Sequence, residues 1–397
     1  MHTITLGAIV LGISLLQPAA PPAAAMPTAE ALAAPGRYTF TTVDQTWHDA
    51  GRERDVPVRI YTPVASTTPS GPAEPWPVIV FSHGAGGSRE GYAYAGRHLA
   101  SHGYLVILPQ HAGSDTPAMR EALGADDPEK KEAIRDRLRE RMRERLKAKL
   151  SGQGAAGDKD ESLVDGARAD FSKEFGDVAE GPLGKMTSDP ANLENRPRDI
   201  SFVLDEIGRR PELAALADMS RVGVAGHSFG AYTSLASVGL RVKVDGEERS
   251  WPDSRARAAV AMSPQGRGVM GIYDGSWEKI GVPVLCLTGT KDMGQGQRAA
   301  AWRRDILGHI TAPTTFIEIT DANHMTFGMS KDGLSDSQRA RGGAYNEAHN
   351  RLIRIALTAF VDAYVRGDAG ARAFVEADGL REAVQAEASF ERAGGSK

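Results

Sequence analysis

The chain has 397 residues, 41% hydrophobic and 25% charged, a composition that belongs to a folded globular protein and excludes disorder throughout. Its 47 basic side chains nearly balance 51 acidic ones, and the formal charge of −4 gives no electrostatic ground for nucleic acid or an anionic membrane as partner. The lone cysteine, Cys286, can neither close an intramolecular disulfide nor build a multi-thiolate metal site.

Residues 4–16 are apolar apart from Thr5, Gly7, Gly12 and Ser14, and a Pro/Ala-rich stretch follows that ends in Ala23, Ala24 and Ala25. The apolar run is shorter than the roughly 20 residues of a spanning helix. It reads as a signal peptide over 1–25 with Met26 first in the mature chain, although the n-region carries His2 and no Lys or Arg. The expectation is a secreted or periplasmic protein without a transmembrane span.

From Arg37 onward, short β-branched runs alternate with longer amphipathic stretches. Strands are predicted at 38–47, 56–61, 76–82, 104–108, 221–225, 258–262, 282–288 and 314–319, and helices at 89–101, 198–207, 229–238, 297–307 and 346–365. Strands buried on both faces read as unbroken apolar runs, and their alternation with helices implies parallel crossovers. The predicted fold is one doubly wound α/β domain over 37–366, with a mostly parallel sheet that is antiparallel only at its start, followed by a tail at 367–397.

The alternation breaks at about 112–195, which reads as a helical insertion. Within it, 126–150 (DDPEKKEAIRDRLRERMRERLKAKL) is rich in helix formers, with Asp126, Asp127 and Glu129 at the favourable end of the helix dipole. Ile134, Leu138, Met142 and Leu146 make a narrow apolar stripe on an otherwise solvated helix. The bland reading is a surface insertion; the sharper one is a lid or a partner-binding helix.

The chemistry concentrates at VGVAGHSFG, residues 222–230, where an apolar strand runs into Gly226-His227-Ser228-Phe229-Gly230 and then a helix. This is G-x-S-x-G in its strand-turn-helix setting, which exposes Ser228 on a sharp turn and aims the Phe229 amide at a developing oxyanion. The glycine-rich exit of the third strand, His83-Gly84-Ala85-Gly86-Gly87, offers the Ala85 amide as second donor, with His83 propping the loop. No Gly-Lys-Ser/Thr follows, so these glycines do not cradle phosphate.

A serine nucleophile needs a base and an orienting acid, here expected in the order Ser, acid, His. Asp292 leaves one buried strand and His324 leaves the next, so both stand at carboxyl ends of parallel strands, where such sheets bind ligands. His324 would shuttle the proton and Asp292 would fix its tautomer. Asp321 and Asp274 are the competing carboxylates; the former reads as a turn residue. His98, His102, His111, His309 and His349 default to packing or surface roles, Cys286 to an inert core position, and no metal cluster or cofactor site emerges.

These segments, VIVFSHGAGGSREGYAYAGRHLASHGYLVILPQHAGSD, ENRPRDISFVLDEI, VGVAGHSFGAYTSLA, PVLCLTGTKD and the His324 loop, resemble the α/β-hydrolase superfamily, and within it the platelet-activating-factor-acetylhydrolase-like and predicted dienelactone-hydrolase-like members. The resemblance implies ester hydrolysis through an acyl-enzyme on Ser228, with the oxyanion held by the amides of Ala85 and Phe229. In the acetylhydrolases the acid follows the strand after the nucleophile helix, where this chain has Ser263. Asp292 instead matches the cutinase-like polyester hydrolases, which usually add an aromatic oxyanion donor and a disulfide that this chain lacks.

The first expectation is a secreted serine esterase acting on short or medium acyl, small-molecule or lipid-like esters. Acyl transfer or polyester hydrolysis on the same triad is the alternative among enzymes. The alternative of another class is a non-catalytic binding protein on a hydrolase scaffold, with the 126–150 helix as its contact surface.

Overall fold

The computed structural model describes residues 25–64, 74–124, 181–328 and 345–395, with scattered positions between 127 and 143. The signal-peptide segment, most of the 126–150 helix and the middle of the insertion lie outside the described residues. In chain order the elements are α1 (Ala29–Ala33), β1 (Thr39–Asp49), β2 (Arg54–Val64), β3 (Trp76–Ser82), α2 (Ala93–Ser101), β4 (Leu105–Pro109) and α3 (Thr116–Ala122). Then come α4 (Pro182–Ser188), α5 (Pro190–Arg209), α6 (Pro211–Ala214), β5 (Ala217–His227), α7 (Phe229–Ala236), the hairpin β6 (Val242–Val244) and β7 (Glu247–Arg249), β8 (Ala256–Met262) and β9 (Val284–Lys291). A 3₁₀ segment (Ala300–Gly308) leads to β10 (Thr314–Asn323), α8 (Glu347–Val361), α9 (Ala369–Glu376), α10 (Gly379–Val384) and β11 (Ala388–Ala393). No helix among the described residues is long and apolar enough to cross a membrane.

Nine strands form one sheet in the order β1-β2-β4-β3-β5-β8-β9-β10-β11. The strands from β4 to β10 run parallel, and β1 and β2 join antiparallel. This is the mostly parallel, helix-covered sheet of an α/β-hydrolase. Alternate residues of each central strand serve opposite faces: Val78 and Val80 face the core under α5 and α7, while Ile79 and Phe81 face the core under α2 and α8.

Two expectations need correction. The segment after Arg366 is no tail: α9 and α10 pack on the sheet, and β11 pairs antiparallel with β10, so the sheet is antiparallel at both edges. The described ends of the insertion also belong to the body. Met119, Met186 and Leu193 enter the core, and Asn192 donates to Gly113 O and Met186 O, both at 3.0 Å. Helix α5 begins eight residues before the predicted position and runs through Pro197. Proline lacks the N–H that would bond Leu193 O; the Tyr232 hydroxyl supplies the missing donor at 3.0 Å.

Candidate active site

Strand β5 sits centrally, and the turn into α7 carries Ser228 at φ 57° and ψ −118°, a conformation strained for any residue with a side chain. Neighbouring backbone makes that turn possible only with glycine on either side. A Cβ on Gly226 would strike Gly230 O, and one on Gly230 would strike Ser82 O. The Ser228 amide is tied to Met262 O of β8 at 2.9 Å, so the turn is held by the sheet as well as the helix.

Strands β9 and β10 end beside this turn. Gly289 lets them converge, since a Cβ there would collide with Ala322 O. Convergence places His324 Nε2 2.9 Å from Ser228 Oγ and His324 Nδ1 2.9 Å from Asp292 Oδ1. His324 is partly open to solvent, whereas Asp292 is 0% exposed. Thr288 donates its hydroxyl to Asp292 Oδ2 at 3.0 Å, and Arg303 Nη2 stands 2.8 Å from Oδ1. Burial on its own would raise the Asp292 carboxyl; the charges of His324 and Arg303 outweigh it and hold the group below the ordinary carboxylate range.

The competing carboxylates lie elsewhere. Asp321, at φ 60°, pairs with exposed Lys291 at 2.9 Å and donates its amide to Thr290 Oγ1 at 2.9 Å. Asp274 pairs with Arg267 at 2.7 Å on the surface. Cys286 is buried and free, and burial pushes its thiol up to about 12.

On the other side of Ser228, the loop after β3 folds over the nucleophile. A Cβ on Gly84 would come within 3.3 Å of Ser228 Cβ, and Gly86 takes φ +72°. Gly86 N donates to Ser114 O and Gly87 N to Gly84 O. Among the described residues, neither the Ala85 amide nor the Phe229 amide at the start of α7 has an acceptor. His83 is buried and braces the loop, accepting the His111 amide on Nε2 at 3.0 Å and lying 2.7 Å from Gly84 O through Nδ1.

The sequence reading gave no role to the buried Arg196 and Asp199 beside this loop and left His111 to packing or the surface. Arg196 of α5 donates to Thr233 Oγ1 and Ser114 Oγ, both at 2.8 Å, and to His83 O, with its guanidinium 4.4 Å from the Phe229 ring centroid. His111 is wholly buried between Ser82 Oγ at 3.0 Å and Asp199 Oδ2 at 2.9 Å, and Asp199 also meets Arg52 and Arg54. His227 shares a 2.7 Å hydrogen bond with Tyr92 and lies 4.7 Å, ring to ring, from His324; burial keeps its imidazole neutral. Among the described residues no group of His, Cys, Asp and Glu could hold a metal ion.

Two comparisons agree with this architecture. Residues 54–153 match the family model described as platelet-activating factor acetylhydrolase, isoform II. A platelet-activating factor acetylhydrolase from Cavia porcellus is 24% identical over 206 residues, covering 52% of this chain and 38% of that relative. The match therefore spans well under half the length of the relative. Together with the sheet order, these similarities support an α/β-hydrolase fold that resembles the platelet-activating factor acetylhydrolases.

Proposed function

We propose that this protein is a serine carboxylic-ester hydrolase working through an acyl-enzyme on Ser228. The observation that carries the reading is the unbroken hydrogen-bond chain from Ser228 Oγ through His324 to Asp292, 2.9 Å at each link. Ser228 donates its proton to His324 Nε2 as its oxygen attacks the ester carbonyl, and His324 Nδ1–H donates to Asp292 throughout. The amides of Ala85 and Phe229 receive the oxyanion. His324 then protonates the departing alkoxide, and a water molecule, deprotonated in the same way, releases the acid.

Similarity to an acetylhydrolase supports a short acyl group, and short or medium acyl esters, lipid-like ones included, are the proposed substrates. The 1–25 segment supports action outside the cytoplasm. The test is burst release of p-nitrophenol from p-nitrophenyl acetate together with labelling by a fluorophosphonate probe. Wild type is expected to show both and Ser228→Ala neither; equal turnover by the two proteins would sink the reading.

A further inference from the structure

Behind the acid of this site stands a buried arginine that the triad chemistry alone does not require. Arg303 belongs to the 3₁₀ segment before β10, and its side chain is 3% exposed. Its Nε donates to Asp292 O at 2.9 Å, and its Nη1 donates to Ser263 O and Pro264 O at 2.9 Å each. Its Nη2 lies 3.0 Å from Met293 O, 2.8 Å from Asp292 Oδ1 and 3.0 Å from His324 Nδ1. One guanidinium therefore ties together the exits of β8, β9 and β10. At β8 it holds Ser263, which has φ 55°.

Nη2 makes its hydrogen-bond contacts with Met293 O and His324 Nδ1 and meets Asp292 Oδ1 as an ion pair at 2.8 Å, so one guanidinium nitrogen touches both members of the acid–base pair. The guanidinium charge also stands 3.0 Å from the ring that becomes cationic when the serine proton moves.

We propose that Arg303 is a positioning residue for Asp292 and His324: by tying the exits of β8, β9 and β10 together it fixes the carboxylate against the imidazole. The proposal rests on the serine-hydrolase reading above. The charged and titratable groups facing His324 are Asp292 from the β9 exit, Arg303 from the 3₁₀ segment, and His227 from β5 with Tyr92 behind it. Tyr94 of α2 donates to Phe327 O in the same turn, and α8, packed against that turn, carries Glu347, His349, Arg351 and Arg354. Among these, Arg303 touches both the ring and its acid, and a merely structural peg would lower stability without separating kcat from KM.

The experiment measures kcat and KM for p-nitrophenyl acetate in wild type, Arg303→Met and Arg303→Lys, with rates expressed per site titrated by a fluorophosphonate. For Arg303→Met, kcat is expected to fall about 100-fold, as for a small misplacement of reacting groups, with KM unchanged. Arg303→Lys keeps the charge but cannot span five acceptors, so it is expected to recover only part of the loss. An Arg303→Met enzyme with wild-type kcat overturns the proposal, and so does a loss confined to KM. Should Arg303→Met fail to fold, Arg303→Lys decides: an unchanged kcat overturns the positioning role. A wild type that takes no label overturns the hydrolase reading and the proposal with it, which separates the two failures.

Discussion

Replacing Asp292 by asparagine isolates the charge of the orienting acid from its geometry, because the neighbours dictate how the amide must sit. At the Oδ1 position, Arg303 at 2.8 Å can only donate, and His324 Nδ1 at 2.9 Å donates in the productive tautomer. At the Oδ2 position stands the Thr288 hydroxyl at 3.0 Å, which can reverse and accept. The amide oxygen therefore faces Arg303 and His324 and the NH₂ faces Thr288, so the Nδ1 proton keeps its acceptor. What the substitution removes is a negative charge beside the imidazolium. With charge centres about 4 Å apart and an effective dielectric constant of about 20, that charge contributes about 4 kcal/mol, or about 10³ in kcat. Steady-state and burst kinetics on p-nitrophenyl acetate, corrected by active-site titration, read the loss directly. A loss smaller than tenfold, or an equal loss in Asp321→Asn, would refute the reasoning. Asp292→Ala should fare worse in stability, since it leaves Arg303 buried without its counter-ion, a defect of about 3–5 kcal/mol.

The same carboxyl sets an acid limit to folding. Its native proton affinity is depressed, so its contribution is present above the unfolded-state value of about 3.9 and is lost as pH falls below it; the stability difference between wild type and Asp292→Asn should shrink below about pH 4, and a difference at about pH 3 equal to that at about pH 5 would contradict this. Gly230→Ala drives a methyl group into Ser82 O and should lower unfolding stability by about 3 kcal/mol, measurable by urea titration; a wild-type midpoint would show that the turn relaxes freely. Cys286, its thiol pushed up to about 12 by burial, should resist iodoacetamide in the native protein and react on denaturation, and rapid native labelling would count against a closed core at β9.

Much of the site was legible because its backbone demands are severe. A nucleophile at φ 57° between two glycines that neighbouring carbonyls would strike leaves a sequence signature. Asp292 and His324 could be placed because unbroken apolar runs mark the strands they leave. The buried arginines could not be found this way. Arg303 and Arg304 are adjacent, yet one fills the site while the other pairs with Glu318 and Glu391 at the surface. Arg196 and Arg198 are two apart on one helix, yet one is buried under the glycine loop and the other pairs with exposed Glu194 at 2.6 Å. In each pair the enclosed arginine lies on the buried stripe of its element, Arg196 with Leu193 and Ile200 and Arg303 with Ala300 and Ile306, but a charged residue on such a stripe reads as its solvated edge until the loops opposite, distant in sequence, are seen to supply its acceptors. The same holds for His111, whose partner Asp199 is 88 residues away. Strand β11, ASFERA, is short and polar at an edge, so it carries no apolar run to announce it.

Arg196 and Arg303 solve a common problem on opposite sides of Ser228. The carboxyl ends of the strands are loops rich in carbonyls that no helix or strand pairs, and a site built there needs donors in number at a closed position. Arginine offers five in one plane. Arg303 spends them on the acid and histidine loops; Arg196 spends them on the oxyanion side, holding His83 O next to Gly84 while its charge lies over the Phe229 ring. Arg196→Met would strand the His83 carbonyl, while the hydroxyls of Ser114 and Thr233 keep their bonds to His111 O and Phe229 O. Leaving a buried acceptor without its donor costs about 1–3 kcal/mol, and the glycine loop would lose its brace. The catalytic consequence should be independent of that of Arg303: kcat falls through a poorer oxyanion hole, and because among the described residues Arg196 makes no hydrogen bond to His324 or Asp292, the two losses should multiply. Measuring kcat for Arg196→Met, Arg303→Met and the double variant would test this division. A double variant no slower than the slower single one would mean that both arginines act through general loosening of the site.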